Sequence, residues 1–108
     1  CKIMEKEYCI ITTACNKKEI ADKIIETLLE KRLVCCCQVT NIDSSYWWKG
    51  KIEREPEFFI QMKTKKTLFK EVEKEILKIH DYETCEIISY DITNGNEKFL
   101  KWIEEETK

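Results

Sequence analysis

The segment HDYETCE, residues 80–86, concentrates side chains that bind metal ions. It contains the single histidine of the chain, His80, with the carboxylates Glu83 and Glu86 and the thiol Cys85. Imidazole, carboxylate and thiolate groups in one segment suit copper or zinc. A lone histidine after a helix is also common as an ordinary loop residue, so a metal site and a structural role both stay open. A nucleophilic Cys–His pair is disfavoured, because no feature supplies an oxyanion hole or a third orienting group.

The run Cys35-Cys36-Cys37 is a second group with metal-binding chemistry. On a strand, neighbouring side chains point to opposite faces, so Cys35 and Cys37 share one face and Cys36 takes the other. One ion cannot be held by all three thiols without breaking the strand. We therefore expect Cys35 and Cys37 to pack in the core as small apolar side chains. Copper(I) binding by the thiolates is the alternative.

The aromatic cluster Tyr46, Trp47 and Trp48 has two interpretations, a ligand platform or the anchor of a subunit interface. Aromatic residues are enriched at the centres of interfaces, which favours the second. Further along the chain, Glu57 and Lys63 are predicted either as a binding pair in a cleft between subunits or as a cross-strand ion pair.

Hydrophobic periodicity predicts alternating strands and helices around these residues. Short β-branched runs indicate strands, and apolar residues repeated at three and four positions indicate helices. Asn16 and Thr67 are expected as N-caps, and Lys49-Gly50 as the turn of a long hairpin that is irregular at Pro56. The predicted elements are a strand at 7–14, a helix ending near Arg32, a strand at 33–42, a hairpin at 44–64 with strands before and after Gly50, a helix at 68–79, a strand at 85–92 and a short helix around 99–103.

This order, without its last helix, is βαββαβ, the ferredoxin-like split motif of the α+β class. Both helices of that motif lie on one face of an antiparallel sheet. Several predicted strands are apolar on both faces, with Phe58 beside Phe59 and Ile87 beside Ile88. The second face therefore needs another cover, and subunit association is the simplest solution.

Length and charge restrict the class of protein. The 108 residues predict a single domain spanning 1–108. The 19 basic and 21 acidic residues alternate and give a net charge of −2, so no basic stripe for nucleic acid is present. No apolar run approaches the roughly 20 residues of a membrane helix. Seven cysteines, an odd number, and the lack of a signal-peptide pattern lead us to expect a reducing, cytoplasmic setting.

Five short motifs, in order and with near-correct spacing, resemble the CutA family of divalent-cation tolerance proteins. RLVCCCQV resembles the family's R-L-A-A-C-V-N, SSYWWKG its S-x-Y-x-W-x-G and HDYETCE its H-P-Y-E-x-P-E. Glu57 with Lys63-Thr64 matches E-x5-K-T, and residues 95–103 match the closing G…Y-L-x-W-I with Phe99 in place of Tyr. Together these motifs cover nearly the whole chain.

Two departures from the family pattern concern the candidate metal ligands. Asp81 and Cys85 replace the two prolines of H-P-Y-E-x-P-E, so a rigid turn is lost and two potential ligands are gained. The cysteine of the family motif falls on Cys36, with Cys35 as an alternative match because the following segment is one residue short.

The resemblance implies a ferredoxin-like fold with an extra C-terminal helix in an intertwined homotrimer. Edge strands of the long hairpin would pair across subunits. The residues expected at this interface are Ser44, Tyr46, Trp48, Glu57 and Trp102.

The resemblance also implies a non-enzymatic protein of copper or other divalent-cation tolerance, without catalytic residues. The expected metal ligands are Cys36, His80, Glu83 and Glu86, holding copper or another divalent cation that is not essential for folding. The alternative is a PII-like trimeric module that binds a small ligand in clefts between subunits, or an unidentified protein partner. The chain has no Gly-rich loop that would cradle a phosphate.

Overall fold

An antiparallel sheet is the framework of the protein, and the computed structural model describes residues 7–108. The elements are β1 Tyr8–Cys15, α1 Lys18–Glu30, β2 Cys36–Trp48, β3 Lys51–Lys65, a 3-10 turn Lys66–Leu68, α2 Phe69–Ile79, β4 Ile87–Asp91 and α3 Glu97–Glu106. The strands lie in the sheet in the order β2-β3-β1-β4, which with the βαββαβ chain order confirms the ferredoxin-like α+β prediction. None of the helices in this part of the chain is long and apolar enough to cross a membrane.

The core lies between one face of the sheet and the helices α1 and α2. Ile11 of β1 pairs with Met62 of β3, and both side chains are fully buried against the apolar stripes of the helices. Burial of each such side chain contributes about 1.5–3 kcal/mol. The helix residues that complete this cluster are Ala21, Ile24, Leu28, Val72 and Ile76.

The second face of the sheet is only partly covered within residues 7–108. At one end α3 packs beside the start of β1, where the Tyr8 hydroxyl donates to Glu104 Oε1 at 3.0 Å, and Lys65 Nζ lies 3.3 Å from Glu104 Oε2. Further along this face, Ile88 and Tyr90 of β4 remain 53% and 48% exposed. The short C-terminal helix is therefore too small to bury the face that the sequence predicted to need a cover.

The paired ends of β2 and β3 project beyond the rest of the sheet. Their register runs without a break from Cys36↔Lys63 to Trp48↔Lys51, whereas β1 accompanies β3 only as far as Phe58. We call the projecting residues 43–56 the hairpin arm. It makes the molecule 54 × 25 × 21 Å, with a radius of gyration of 15.2 Å, compared with about 13 Å for a compact chain of this length.

Several predicted boundaries are wrong. The structure has one continuous β2 where a break near residue 43 was predicted, and β2 begins at Cys36 because Arg32, at φ 56°, turns the chain after α1. Pro56 causes no irregularity in the register. The Lys63 carbonyl accepts a hydrogen bond from the Cys35 amide, on the β2 side. Backbone groups alternate in direction along a strand, so the even-numbered residues of β3 direct theirs away from β2. Pro56 is one of them, and its missing amide therefore costs no hydrogen bond to β2.

The predicted caps Asn16 and Thr67 are also wrong. The N-cap of α1 is Lys17, with no side-chain cap bond, and Thr67 lies inside the 3-10 turn before α2. Asn16 instead donates through Nδ2 to Glu55 Oε1 at 3.0 Å. A residue expected to start a helix thus ties the end of β1 to the hairpin arm.

Candidate functional site: an acidic cleft beside the hairpin arm

A cleft of about 670 Å³ lies between the hairpin arm and residues 80–86, the loop that joins α2 to β4. We call it the arm cleft. Four glutamates and a cysteine line it, and no lysine, arginine or histidine is among the lining residues. Such walls create a negative potential that attracts cations. Its acidic and thiol side chains are Glu55, Glu57, Glu83, Cys85 and Glu86.

His80 is a buried structural residue behind this cleft. Its side chain is 0% exposed. Nε2 lies 2.7 Å from the Ala14 carbonyl oxygen, and the Tyr82 amide donates to Nδ1 at 3.2 Å. A carbonyl only accepts and an amide only donates, so the ring is neutral with its proton on Nε2. Neither nitrogen is left for a metal ion, and the prediction of His80 as a ligand does not agree with this arrangement.

Tyr82 connects His80 to the wall of the arm cleft. The two rings meet edge to face with centroids 4.5 Å apart, and the Tyr82 hydroxyl donates to Glu57 Oε2 at 2.7 Å. Burial, and then the hydrogen bond to this carboxylate, raise the pKa of the Tyr82 hydroxyl. The hydroxyl therefore stays protonated at neutral pH and serves as a fixed donor to Glu57, which is only 8% exposed.

Glu55 lies two residues before Glu57 and has a donor on each oxygen. Asn16 Nδ2 donates to Oε1 at 3.0 Å, and the Tyr46 hydroxyl donates to Oε2. The hydrogen bond to Glu55 is the main reason that the pKa of Tyr46 is raised to about 12. No motif in the sequence singles out Glu55, although its two-residue spacing from Glu57 on a strand indicates the same face.

The loop carboxylates are held more loosely. Glu86 Oε2 accepts from Thr12 Oγ1 at 3.5 Å, and Glu83 Oε1 lies 4.0 Å from Lys49 Nζ at the tip of the hairpin arm. Lys49 and Glu83 are both more than 70% exposed, so water screens this pair. These two carboxylates form the open side of the arm cleft.

The structure does not bring the four predicted metal ligands together. Cys36 pairs with Lys63, six residues along β3 from Glu57 and thus about 20 Å away along the strand. Cys85, which the sequence indicated as a potential ligand but which is not among the four predicted ones, lines the cleft instead. In the part of the chain that the structure describes, no three His, Cys, Asp or Glu side chains form a metal-binding group.

The predicted interface residues fall into two places. Ser44, Tyr46, Trp48 and Glu57 all line the arm cleft, whereas Trp102 lies on α3 beside Phe99, with ring centroids 5.5 Å apart. Trp47, which also lines the arm cleft, is 72% exposed.

The predicted pairing of Glu57 with Lys63 is absent. Lys63 Nζ donates to Gln38 Oε1, and Glu57 accepts from Tyr82. The pairing fails because the two residues lie six positions apart on the same strand, about 20 Å along β3.

The cysteine triplet is split between a bulge and a strand. The Lys63 carbonyl accepts from the Cys35 amide at 3.0 Å and from Cys35 Sγ at 3.4 Å. Cys35 and Cys36 thus oppose one residue, as in a β-bulge, and regular alternation starts only at Cys36. Cys37 packs against the core as predicted, and burial raises its pKa to about 12.

Solved structures with the same fold come from distant organisms. The periplasmic divalent cation tolerance protein CutA from Archaeoglobus fulgidus is 37% identical with a TM-score of 0.91, and the match covers 94% of this chain and 99% of that one. CutA1 from Oryza sativa is 25% identical with a TM-score of 0.91, over 95% of each chain. The fold is thus shared over nearly the full length of both proteins.

The prediction of a cytoplasmic setting is contradicted by the Archaeoglobus protein, which is described as periplasmic. The prediction depended on the lack of a signal-peptide pattern and on the odd number of cysteines. That number restricts disulfide pairing but does not identify a compartment, because burial itself protects a thiol. Cys9, for example, is 1% exposed, and burial raises its pKa to about 11.

The family prediction is confirmed by two further comparisons. The family model described as CutA1 divalent ion tolerance protein matches residues 9–106. The divalent-cation tolerance protein CutA of Pyrococcus horikoshii is 38% identical over 99 residues, which are 92% of this chain and 97% of that protein. Fold, motifs and full-length similarity agree, and the chain belongs to the CutA1 divalent ion tolerance family.

Proposed function

We propose that this protein binds divalent cations, copper among them, in the arm cleft. The observation that carries the proposal is the composition of the walls, where four glutamates face a cavity with no basic side chain among its lining residues. Mutual repulsion of these carboxylates is relieved when a cation enters. Family membership supports a role in tolerance of such ions.

The donor set and the size of the arm cleft fit a hydrated ion. Its volume of about 670 Å³ exceeds many times the roughly 30 Å³ that one water occupies. With no preformed group of three ligands among residues 7–108, a bound ion keeps several of its waters, as ions held by one or two carboxylates do. Copper(II) binds oxygen and nitrogen donors more strongly than the other first-row divalent ions, which favours it in competition.

Binding suits these residues better than catalysis does. Burial raises the pKa of Cys85, so its thiol carries a proton at neutral pH and is a poor nucleophile. Both nitrogens of His80 are already hydrogen-bonded, so His80 is not available as a general base. The acidic walls also disfavour the phosphorylated ligands of a PII-like module.

The functional form in this proposal is a homotrimer. Support comes from apolar side chains left exposed on the second face of the sheet, Ile88 and Tyr90, and on the hairpin arm, Trp47 and Ile52. Obligate interfaces of this kind bury more than about 2,000 Å². The arm, which projects from the subunit, is the element that can reach a neighbour.

Calorimetric titration of the metal-free protein with Cu²⁺, Zn²⁺ and Mn²⁺ tests the proposal. We expect saturable binding of one ion per chain, with Cu²⁺ the tightest, and the heat should disappear when EDTA is in excess. The absence of saturable binding for all three ions at millimolar concentration would contradict it.

A further inference from the structure

Glu57 differs from the other carboxylates of the arm cleft in burial and in pairing. It is 8% exposed. One oxygen, Oε2, accepts the Tyr82 hydroxyl at 2.7 Å. Within residues 7–108, no donor reaches the other oxygen, Oε1, and no basic side chain forms an ion pair with Glu57. A carboxylate this buried is unfavourable without a compensating positive charge.

The neighbouring glutamates lack this combination. Both oxygens of Glu55 already accept hydrogen bonds, from Asn16 and Tyr46. Glu83 and Glu86 are exposed, so water already solvates their charges. Of the four glutamates, only Glu57 is both buried and left with an oxygen in the cavity wall that accepts no hydrogen bond.

Glu57 is also held in place by an unbroken chain of contacts from the core. The Ala14 carbonyl fixes His80 through Nε2, and Nδ1 of His80 fixes the Tyr82 backbone at 3.2 Å. The ring of Tyr82 packs against the imidazole, and its hydroxyl then fixes Glu57. Partners of this kind orient a carboxylate ligand and leave a defined oxygen for the ion.

We infer that Glu57 is the residue that holds the divalent cation, through Oε1, and that His80 and Tyr82 are positioning residues that set its orientation. The inference rests on the proposed function and assigns its binding residue. It gives His80 an indirect role, through Tyr82, where the sequence suggested a direct ligand. The ion is oxygen-bound and partly hydrated, as the donor set requires.

Titration of the metal-free protein with Cu²⁺ and Mn²⁺ tests the inference in three variants. Glu57→Gln keeps the shape and an acceptor for Tyr82 but removes the charge, and we expect Kd to rise more than about tenfold. Tyr82→Phe keeps the ring contact with His80 and removes only the donor, with an expected rise of about tenfold. Glu53→Gln is the matched control, because Glu53 lies on the same strand, exposed and outside the cleft lining. Its Kd should change less than about twofold.

Thermal unfolding of each metal-free variant separates folding from binding, and Tyr82→Phe carries the test if Glu57→Gln does not fold. The Mn²⁺ electron paramagnetic resonance signal adds a readout that a purely structural role would not move. If the parent binds ions and Glu57→Gln behaves like Glu53→Gln, the inference is wrong while the proposed function stands. If the parent binds neither ion, both fail together.

Discussion

At the scale of single residues, the structure assigns roles by burial and by hydrogen-bond partners more than by residue type. His80 has the chemistry of a ligand, yet both of its nitrogens are occupied and its side chain is fully buried. Glu57 is of a residue type that commonly forms ion pairs at interfaces, yet it lies in the wall of the arm cleft with one oxygen free. Free cysteines follow the same rule, because burial keeps Cys9 and Cys37 protonated.

The buried thiol of Cys9 predicts a loss of stability at high pH. Its pKa is raised from 9.0 to about 11 in the folded protein, so above pH 9 the unfolded chain loses a proton that the folded chain keeps. The contribution of Cys9 to the free energy of unfolding is therefore complete below pH 9. It is lost as the pH rises to about 11, which lowers the free energy of unfolding by about 1–2 kcal/mol.

Urea unfolding of the parent and of Cys9→Ala between pH 8 and about 11 measures this contribution as the difference between two curves. The variant should lose less free energy of unfolding over this interval than the parent does. Parallel curves would show that Cys9 does not carry the effect.

At the scale of elements, the hairpin arm and the loop at residues 80–86 build the site together. The arm supplies rigid walls because thirteen residues of β2 pair with β3 in one register. The loop supplies Tyr82 and the exposed carboxylates, and His80 anchors it to the end of β1. A turn at Lys49-Gly50, with φ of 49° and 81°, closes the arm, and positive φ at both positions is typical of a type I′ hairpin.

This turn predicts a specific cost for Gly50→Ala. At φ 81° an L-residue is strained, whereas an added Cβ would meet no atom within 4 Å. The free energy of unfolding should therefore fall by about 1 kcal/mol from backbone conformation alone. The matched control is Lys51→Ala, one residue later in extended β3, measured by urea unfolding at the same protein concentration. A variant as stable as the parent would argue against a strained conformation at Gly50.

At the scale of the whole molecule, the exposed apolar face is the feature that a single subunit leaves incomplete. Helices α1 and α2 bury one face of the sheet, and α3 covers only the end near Tyr8 and Lys65. The remaining apolar side chains and the projecting arm support the proposal of an intertwined homotrimer.

A pair of neighbouring substitutions on β4 tests the trimer. We expect light scattering of the parent to give three times the chain mass of 13.0 kDa. Ile88 pairs with Thr12 on the uncovered face, whereas Ser89 pairs with Ile11 on the helix side. Ile88→Asp should weaken assembly by about 3–5 kcal/mol because it buries an unpaired charge, and Ser89→Asp should leave the mass unchanged. A parent that scatters as a monomer at micromolar concentration would rule out the trimer.

The sequence by itself determined the fold class, the long hairpin and the family. These follow from local signals, such as the apolar stripe of Ile24 and Leu28, the Lys49-Gly50 turn and five ordered motifs. The two apolar faces also indicated that one layer of helices leaves the sheet uncovered. Such features depend on residues close in the chain, where spacing alone sets the face on which a side chain lies.

Only the tertiary structure decided which side chains meet in the arm cleft. Tyr82 reaches Glu57 across 25 positions, and His80 reaches Ala14 across 66, distances over which spacing carries no information. Folding also places Cys36, which a family motif suggested, away from the arm cleft, and it brings Glu55 and Cys85 into the cleft wall. Whether an ionisable side chain is a ligand or a structural support depends on the partners that its neighbours leave free, and those partners come from folding.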